Sequence, residues 1–168
     1  MVERKARAEQ PDLAIHFRQP VLDVRRGGEP ERLPHLAVRE QPERGQPVAP
    51  GEIGYINAHG SSTPLNDSTE TSSIKQVFGD HAYRLAFSGT KGYYGHALGA
   101  SGAIEAAICA LASRRGWLPP TVNLDSPDPA CDLTHVTGGG LDAQPDYLLS
   151  NSFGFGGINA ALLFRRAE

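Results

Sequence analysis

At 168 residues the chain is long enough for one domain with a sizeable core, and its apolar share of 39% is low for such a domain. The formal net charge of -3 is spread without a basic block, which sets aside nucleic acid and anionic membranes as partners. With no stretch approaching the roughly 18 apolar residues of a membrane span and no apolar leader after the charged start, the composition predicts a soluble protein.

The low apolar share has a local origin. Residues 1–50 hold nine Lys or Arg, eight Asp or Glu and seven of the thirteen prolines. Their short apolar patches, Leu13 to Phe17 and Val21 to Val24, follow no helical or strand period, so 1–50 reads as a disordered or atypical N-terminal segment. The remainder, 51–168, reads as one compact α/β domain.

Ile53 to Ala58 is a short apolar strand, stopped by His59-Gly60-Ser61-Ser62-Thr63-Pro64. Asn66 or Asp67 caps a helix that runs to Gly79, with Glu70 placed three residues after Asp67 as in a capping box. Leu85 to Ser88 is the next strand. It leads through Thr90-Lys91-Gly92-Tyr93-Tyr94-Gly95-His96 into a helix that is small or apolar almost throughout from Ala97 to Ala112. No face of that helix is left for water, which predicts burial, with His96 at its N-terminus as a neutral imidazole. Glu105, the one ionisable residue in the run, needs a cation, and Lys91 is the nearest in sequence.

Gly116 ends the helix, and Pro119, Pro120, Pro127 and Pro129 keep the following stretch extended over the surface. Tyr147 to Ser150 is a strand that breaks at Asn151-Ser152-Phe153-Gly154-Phe155-Gly156-Gly157, and Asn159 to Phe164 is the last. Two strand–loop–helix units thus each carry a His where the strand ends, the position at which ligands collect in open α/β sheets.

His59, His96, Lys91 and the Gly-rich turn can together form a pocket of neutral donors around a carbonyl oxygen, suited to an oxyanion or enolate. Lys91 and Glu105 read as a catalytic relay or a buried ion pair. Ser61, Ser62 and Thr63 could include a nucleophile beside His59, yet no nucleophile elbow surrounds them, and they read better as turn formers or ligand hydrogen-bonders. Phe153 and Phe155 are more often core than gate, and the glycines beside Phe155 make its N–H approachable. His81 and His135 are expected to face solvent. Cys109 and Cys131 lack metal-ligand spacing and are too few for a disulfide framework, which points to reduced thiols in a cytoplasmic protein. Cys109 is expected to be an inert buried thiol, and Cys131 has no activating base nearby.

Asn57-Ala58-His59-Gly60-Ser61-Ser62-Thr63-Pro64-Leu65-Asn66-Asp67, Thr90-Lys91 with Gly95-His96, and Ser150-Asn151-Ser152-Phe153-Gly154-Phe155-Gly156-Gly157 occur in an order that resembles the C-terminal half of a β-ketoacyl-[acyl carrier protein] synthase. The resemblance covers about residues 50–166. It implies the C-terminal half of a thiolase-like fold, with a mixed sheet, a buried helix and covering helices. It also implies decarboxylative Claisen condensation of malonyl-carrier protein with an acyl thioester in fatty acid biosynthesis. In such enzymes the other half supplies the nucleophilic cysteine, for which this chain has no counterpart.

The resemblance matches His59 and His96 to the enolate-stabilising pair, Lys91 and Glu105 to its support, and Phe155 to an oxyanion-hole N–H. Ser61 and Thr63 match hydroxyls that hold the phosphopantetheine arm, with Phe153 beside them as a substrate-binding residue. No resident cofactor is implied, because phosphopantetheine arrives on the carrier protein. The implied partners are acyl carrier protein and a cysteine-bearing N-terminal half or homodimer partner. Ser61 stands where Thr is usual, and Gly92-Tyr93-Tyr94 where smaller residues are usual. Competing readings are a non-catalytic, chain-length-factor-like partner subunit and a Ser/His hydrolase.

Overall fold

The computed structural model describes residues 48–166, so the N-terminal segment up to residue 47 lies outside the described residues. The elements follow the order β1 (Ile53–Asn57), α1 (Asn66–Phe78), β2 (Ala86–Ser88), α2 (Lys91–Tyr94), α3 (Ser101–Arg115), β3 (Trp117–Leu118), β4 (Leu141–Asp142), β5 (Tyr147–Phe153) and β6 (Asn159–Arg165). The main sheet has the order β2-β1-β5-β6, with β1 parallel to both neighbours and β6 antiparallel to β5. β1 is paired along both edges, and α1 and α3 pack on its two faces, so the run from Tyr55 to Ala58 is buried throughout.

Two apolar clusters flank the sheet. Ile56, Ile74, Phe78, Leu85 and Phe87 pack on one, with α1 supplying Ile74 and Phe78. Tyr55, Cys109, Ala112, Leu118, Leu148 and Phe164 form the other, with α3 supplying Cys109 and Ala112. Val48 leans on the first cluster and precedes a 3-10 turn over Pro50–Glu52.

Several expectations differ from the structure. The helix expected from Ala97 begins at Ser101, after a 3-10 turn at Leu98–Ala100, which places His96 in a loop rather than at the helix N-terminus. Only one face of α3 is buried, through Ser101, Glu105, Cys109 and Ala112; Leu111 is 47% exposed, because the sheet covers one side of the helix and no described residue covers the other. The strand expected to break at Asn151 continues to Phe153, since Asn151 and Phe153 pair with Ala161 and Asn159 across the hairpin. The stretch after Gly116 is not wholly superficial. Leu118, Pro119 and Pro120 are buried, and Trp117–Leu118 pairs with Leu141–Asp142 in a second small sheet.

The helix cap also differs. Leu65 is the N-cap of α1 and has no polar side-chain atom to cap with, while Asp67 and Glu70 are both turned toward the preceding loop. Gly116 does end α3, in the left-handed conformation with φ 65 and its N–H on the Ala112 carbonyl.

Candidate active site

The loop after β1 is held from beneath by a carboxylate. Glu70 is buried, and its Oε1 accepts the His59 N–H at 3.0 Å and the Asn151 side-chain amide at 3.2 Å, while its Oε2 accepts the Gly60 N–H at 3.0 Å. Burial pushes this carboxyl above its ordinary range, and the three donors pull in the opposite direction. Glu70 falls in line with Ile74 and Phe78 at a spacing of four, so its burial was readable from helical period, although its task was not. Gly60, at φ 42, turns the loop where its missing Cβ would meet Gly89 Cα at 3.3 Å, which lets the ends of β1 and β2 approach closely.

Asp67 ties the far side of the loop, its Oδ1 accepting the Ser62 N–H at 3.1 Å. The Ser61 and Thr63 hydroxyls lie 3.1 Å apart and face each other, and Thr63 borders a cavity of about 610 Å³ with Gly60, Asp67, Thr121, Asp128 and His135. Neither His59 nor His96 lines that cavity. None of Ser61, Ser62 and Thr63 bonds to a histidine among the described residues, which removes the geometry that a Ser/His hydrolase reading of this run requires.

The two imidazoles do come together. Their ring centroids are 5.4 Å apart at an interplanar angle of 78°, and the Phe153 ring lies 5.5 Å from that of His59. His59 is buried, and its pKa is lowered to about 4, chiefly by desolvation and then by the nearby charges of Lys91 and His96. It is therefore neutral at pH 7. His96 is exposed, and its Nδ1 accepts the Leu98 N–H at 3.1 Å and contacts the Ser101 hydroxyl at 3.3 Å. With Nδ1 accepting the Leu98 N–H, Nε2 is the ring nitrogen left to carry the proton and act as a donor.

Behind the pair sits a buried charge cluster. Lys91 Nζ donates to Glu105 Oε1 and to the His59 carbonyl, and the Tyr94 hydroxyl donates to the same Glu105 oxygen at 3.0 Å. Glu105 is 0% exposed, so the ion pair joins α2, α3 and the β1 loop in a medium where an unpaired charge would be costly. Asn57 donates to the Thr90 hydroxyl at 3.2 Å and fixes the chain just before Lys91.

Phe155 behaves differently from its neighbour. Its side chain is 93% exposed at the tip of the β5–β6 hairpin, against the expectation of a core residue, because the five residues between the strands project past the sheet edge. The turn's own bonds run from Gly154 N–H to Ile158 O and from Gly157 N–H to Gly154 O, and none uses the Phe155 N–H among the described residues.

His81 and His135 are partly buried rather than solvent-facing, with Nε2 at 2.8 Å from the Ile53 carbonyl and 2.6 Å from the Cys131 carbonyl respectively. Cys109 is fully buried, and desolvation pushes its thiol up to about 12. Among the described residues no group of three or more His, Cys, Asp or Glu could hold a metal ion, and no helix is long and apolar enough to cross a membrane.

This arrangement can be set beside known proteins. Residues 36–125 match the family model described as the β-ketoacyl synthase C-terminal domain. The chain is 53% identical over 121 residues to 3-oxoacyl-[acyl-carrier-protein] synthase 2 of Synechocystis sp., covering 72% of this chain and 29% of that protein. It is 51% identical over 119 residues to the synthase of the same name from Coxiella burnetii, covering 71% and 29%.

Among solved structures, a β-ketoacyl synthase from Burkholderia phymatum matches with a TM-score of 0.68 and 41% identity over 72% of this chain and 29% of that one. A type II polyketide ketosynthase solved in complex with its acyl-carrier protein matches with a TM-score of 0.70 and 37% identity, covering 71% and 29%. The chain thus spans about three tenths of the length of the relatives it matches. The fold is the thiolase-like one of these ketosynthases, and the chain belongs to the β-ketoacyl synthase family, in the C-terminal domain that carries both histidines.

Proposed function

We propose that this chain is the histidine half of a β-ketoacyl-[acyl carrier protein] synthase, which stabilises the enolate formed from malonyl-carrier protein and works beside a cysteine-bearing half. The observation that carries the reading is the pair of imidazoles 5.4 Å apart, one buried with its pKa lowered to about 4 and the other fixed as an Nε2–H donor. Loss of CO2 breaks the bond between the malonyl carboxylate and the α-carbon, and the electron pair moves onto the thioester carbonyl oxygen. Two uncharged N–H groups aimed at that oxygen stabilise the charge as it develops. The α-carbon then attacks the acyl group on the partner half's cysteine, a C–C bond forms, the C–S bond breaks, and the thiolate leaves.

Lys91 and Glu105 support this chemistry by holding the His59 carbonyl, and the Ser61–Thr63 hydroxyl pair and Phe153 are the residues offered to the phosphopantetheine arm. Phe155 N–H completes the oxyanion hole once its loop is covered. No resident cofactor is needed on this reading, and a cytoplasmic location suits the two free thiols. The cysteine-bearing half has a surface to meet: Tyr93, Leu111 and Trp117 are 53%, 47% and 38% exposed around an apolar groove of about 220 Å³ that also includes Ile108 and Pro119.

The test is reconstitution. The chain alone should retain no acyl label from radiolabelled acyl-carrier protein, whereas mixing it with a cysteine-bearing half should give CO2 release from malonyl-carrier protein. Label covalently held on Cys109 or Cys131, or no CO2 from a stable complex of the two halves, would overturn the reading.

A further inference from the structure

Tyr94 is the last residue of α2, and its hydroxyl has a definite task. It donates to Glu105 Oε1 at 3.0 Å, the same oxygen that receives Lys91 Nζ. The short helix α2 is therefore fastened to α3 at both of its ends, by Lys91 at the first residue and Tyr94 at the last. Gly95 follows at φ 78, a conformation that turns the chain sharply, and His96 is the next residue. From His96 to Ala100 every residue is exposed, so Tyr94 is the last anchored side chain before His96 on that side. On the other side, the ring's hydrogen bonds among the described residues are those of Nδ1 with Leu98 N–H and the Ser101 hydroxyl.

We propose that Tyr94 is a positioning residue for His96: its bond to Glu105 sets where the exposed imidazole stands relative to the buried one. The bond is strong enough for the purpose, because hydrogen bonds to a charged carboxylate in a buried setting are about twice as strong as neutral ones. Burial and the Glu105 charge hold the phenol above its ordinary pKa, so at neutral pH it keeps its proton and can donate. Without the hydroxyl, the His96 segment keeps one anchor instead of two, and the spacing to His59 becomes an average over several arrangements. The activity part of this inference rests on the proposed decarboxylation chemistry; the geometric part does not.

The two parts are tested separately on the full chain. Nitrogen-15 and ring-proton NMR of the six histidines should show His96 locked as the Nε2–H tautomer, and Tyr94→Phe should broaden it or average its tautomers while His81 and His135 stay unchanged. Tyr93→Phe, at an exposed neighbour, should leave all six unchanged. An unmoved His96 in the Tyr94→Phe protein overturns the proposal.

Should that variant fail to fold, a second measurement on the unmutated chain decides the point. A Tyr94 hydroxyl proton protected from exchange, with a cross-peak to Glu105, supports the anchor, and a hydroxyl in free exchange overturns it. In the complex with a cysteine-bearing half, Tyr94→Phe should lower kcat for decarboxylation about tenfold with KM within about twofold. A change in KM alone overturns the positioning role, whereas an inactive unmutated complex counts against the functional reading and leaves the NMR result standing.

Discussion

Replacing Glu70 by Gln isolates what holds the His59 loop in place. The carboxylate is surrounded by donors only: two backbone N–H groups at 3.0 Å each and the Asn151 amide at 3.2 Å. A glutamine has one acceptor oxygen. If that oxygen takes the place of Oε1, the His59 and Asn151 bonds survive as neutral ones, each weaker by about 1 kcal/mol, and the new amide N–H points at the Gly60 N–H. Leaving that buried donor unpaired costs about 1 to 3 kcal/mol more. Against this, removing a buried charge returns part of its desolvation cost. The expected net loss is about 2 to 4 kcal/mol, which for a chain of this size corresponds to a drop in Tm on the order of 5 to 15 °C. Urea unfolding of the full chain followed by circular dichroism measures it. A loss under about 0.5 kcal/mol, or a gain, would mean that Glu70 does not anchor the loop as an ionised acceptor.

Lys91→Met should cost about 3 to 5 kcal/mol by leaving Glu105 buried and unpaired, and the double variant Lys91→Met/Glu105→Leu should cost less than that single change; urea midpoints decide, and a costlier double variant would contradict the pair's dependence on mutual neutralisation. Because the His59 pKa is lowered from 6.5 to about 4, the unfolded chain binds the extra proton between those values, so this group's contribution is intact above pH 6.5 and is lost as pH falls toward 4. The loss amounts to about 3 kcal/mol, and His59→Gln should flatten that part of the stability–pH curve; equal slopes for both proteins would remove the desolvated histidine. Iodoacetamide should label Cys131 well before Cys109, which is fully buried with its thiol pushed up to about 12, and mass spectrometry showing the reverse order would contradict the packing of α3.

Element types were legible wherever the apolar pattern was short and sharply bounded: Ile53 to Ala58 became β1 within one residue, and the helix read to Gly79 ends at Phe78. The misreadings share one physical cause, that local pattern cannot see what covers a surface. An all-apolar run predicted a helix buried on every side, whereas α3 shows one face to the sheet and leaves Leu111 open. Asp67 and Glu70 fit a capping box by spacing, yet both serve the loop before the helix, because an unpaired backbone N–H at Ser62, His59 or Gly60 is a better use of a carboxylate than a cap. The site residues His59, His96, Lys91, Glu105 and Phe153 are brought together as their spacing around two strand ends allowed. The Phe155 ring stands apart, and Tyr94, Glu70 and Asn151 emerge only from contacts made across elements.

The central claim is that His59 and His96 act as neutral hydrogen-bond donors to a developing enolate. Its most direct test is the rate of CO2 release from malonyl-carrier protein by the chain paired with a cysteine-bearing half, compared for unmutated protein, His96→Ala and His96→Gln. Loss of a donor should slow release about 10²- to 10³-fold in the Ala variant. Gln, whose amide N–H can reach the same oxygen without moving a proton, should recover part of that rate, with acylation of the cysteine little changed in either. Equal rates for Ala and Gln, with acylation lost as severely as decarboxylation, would contradict the donor assignment.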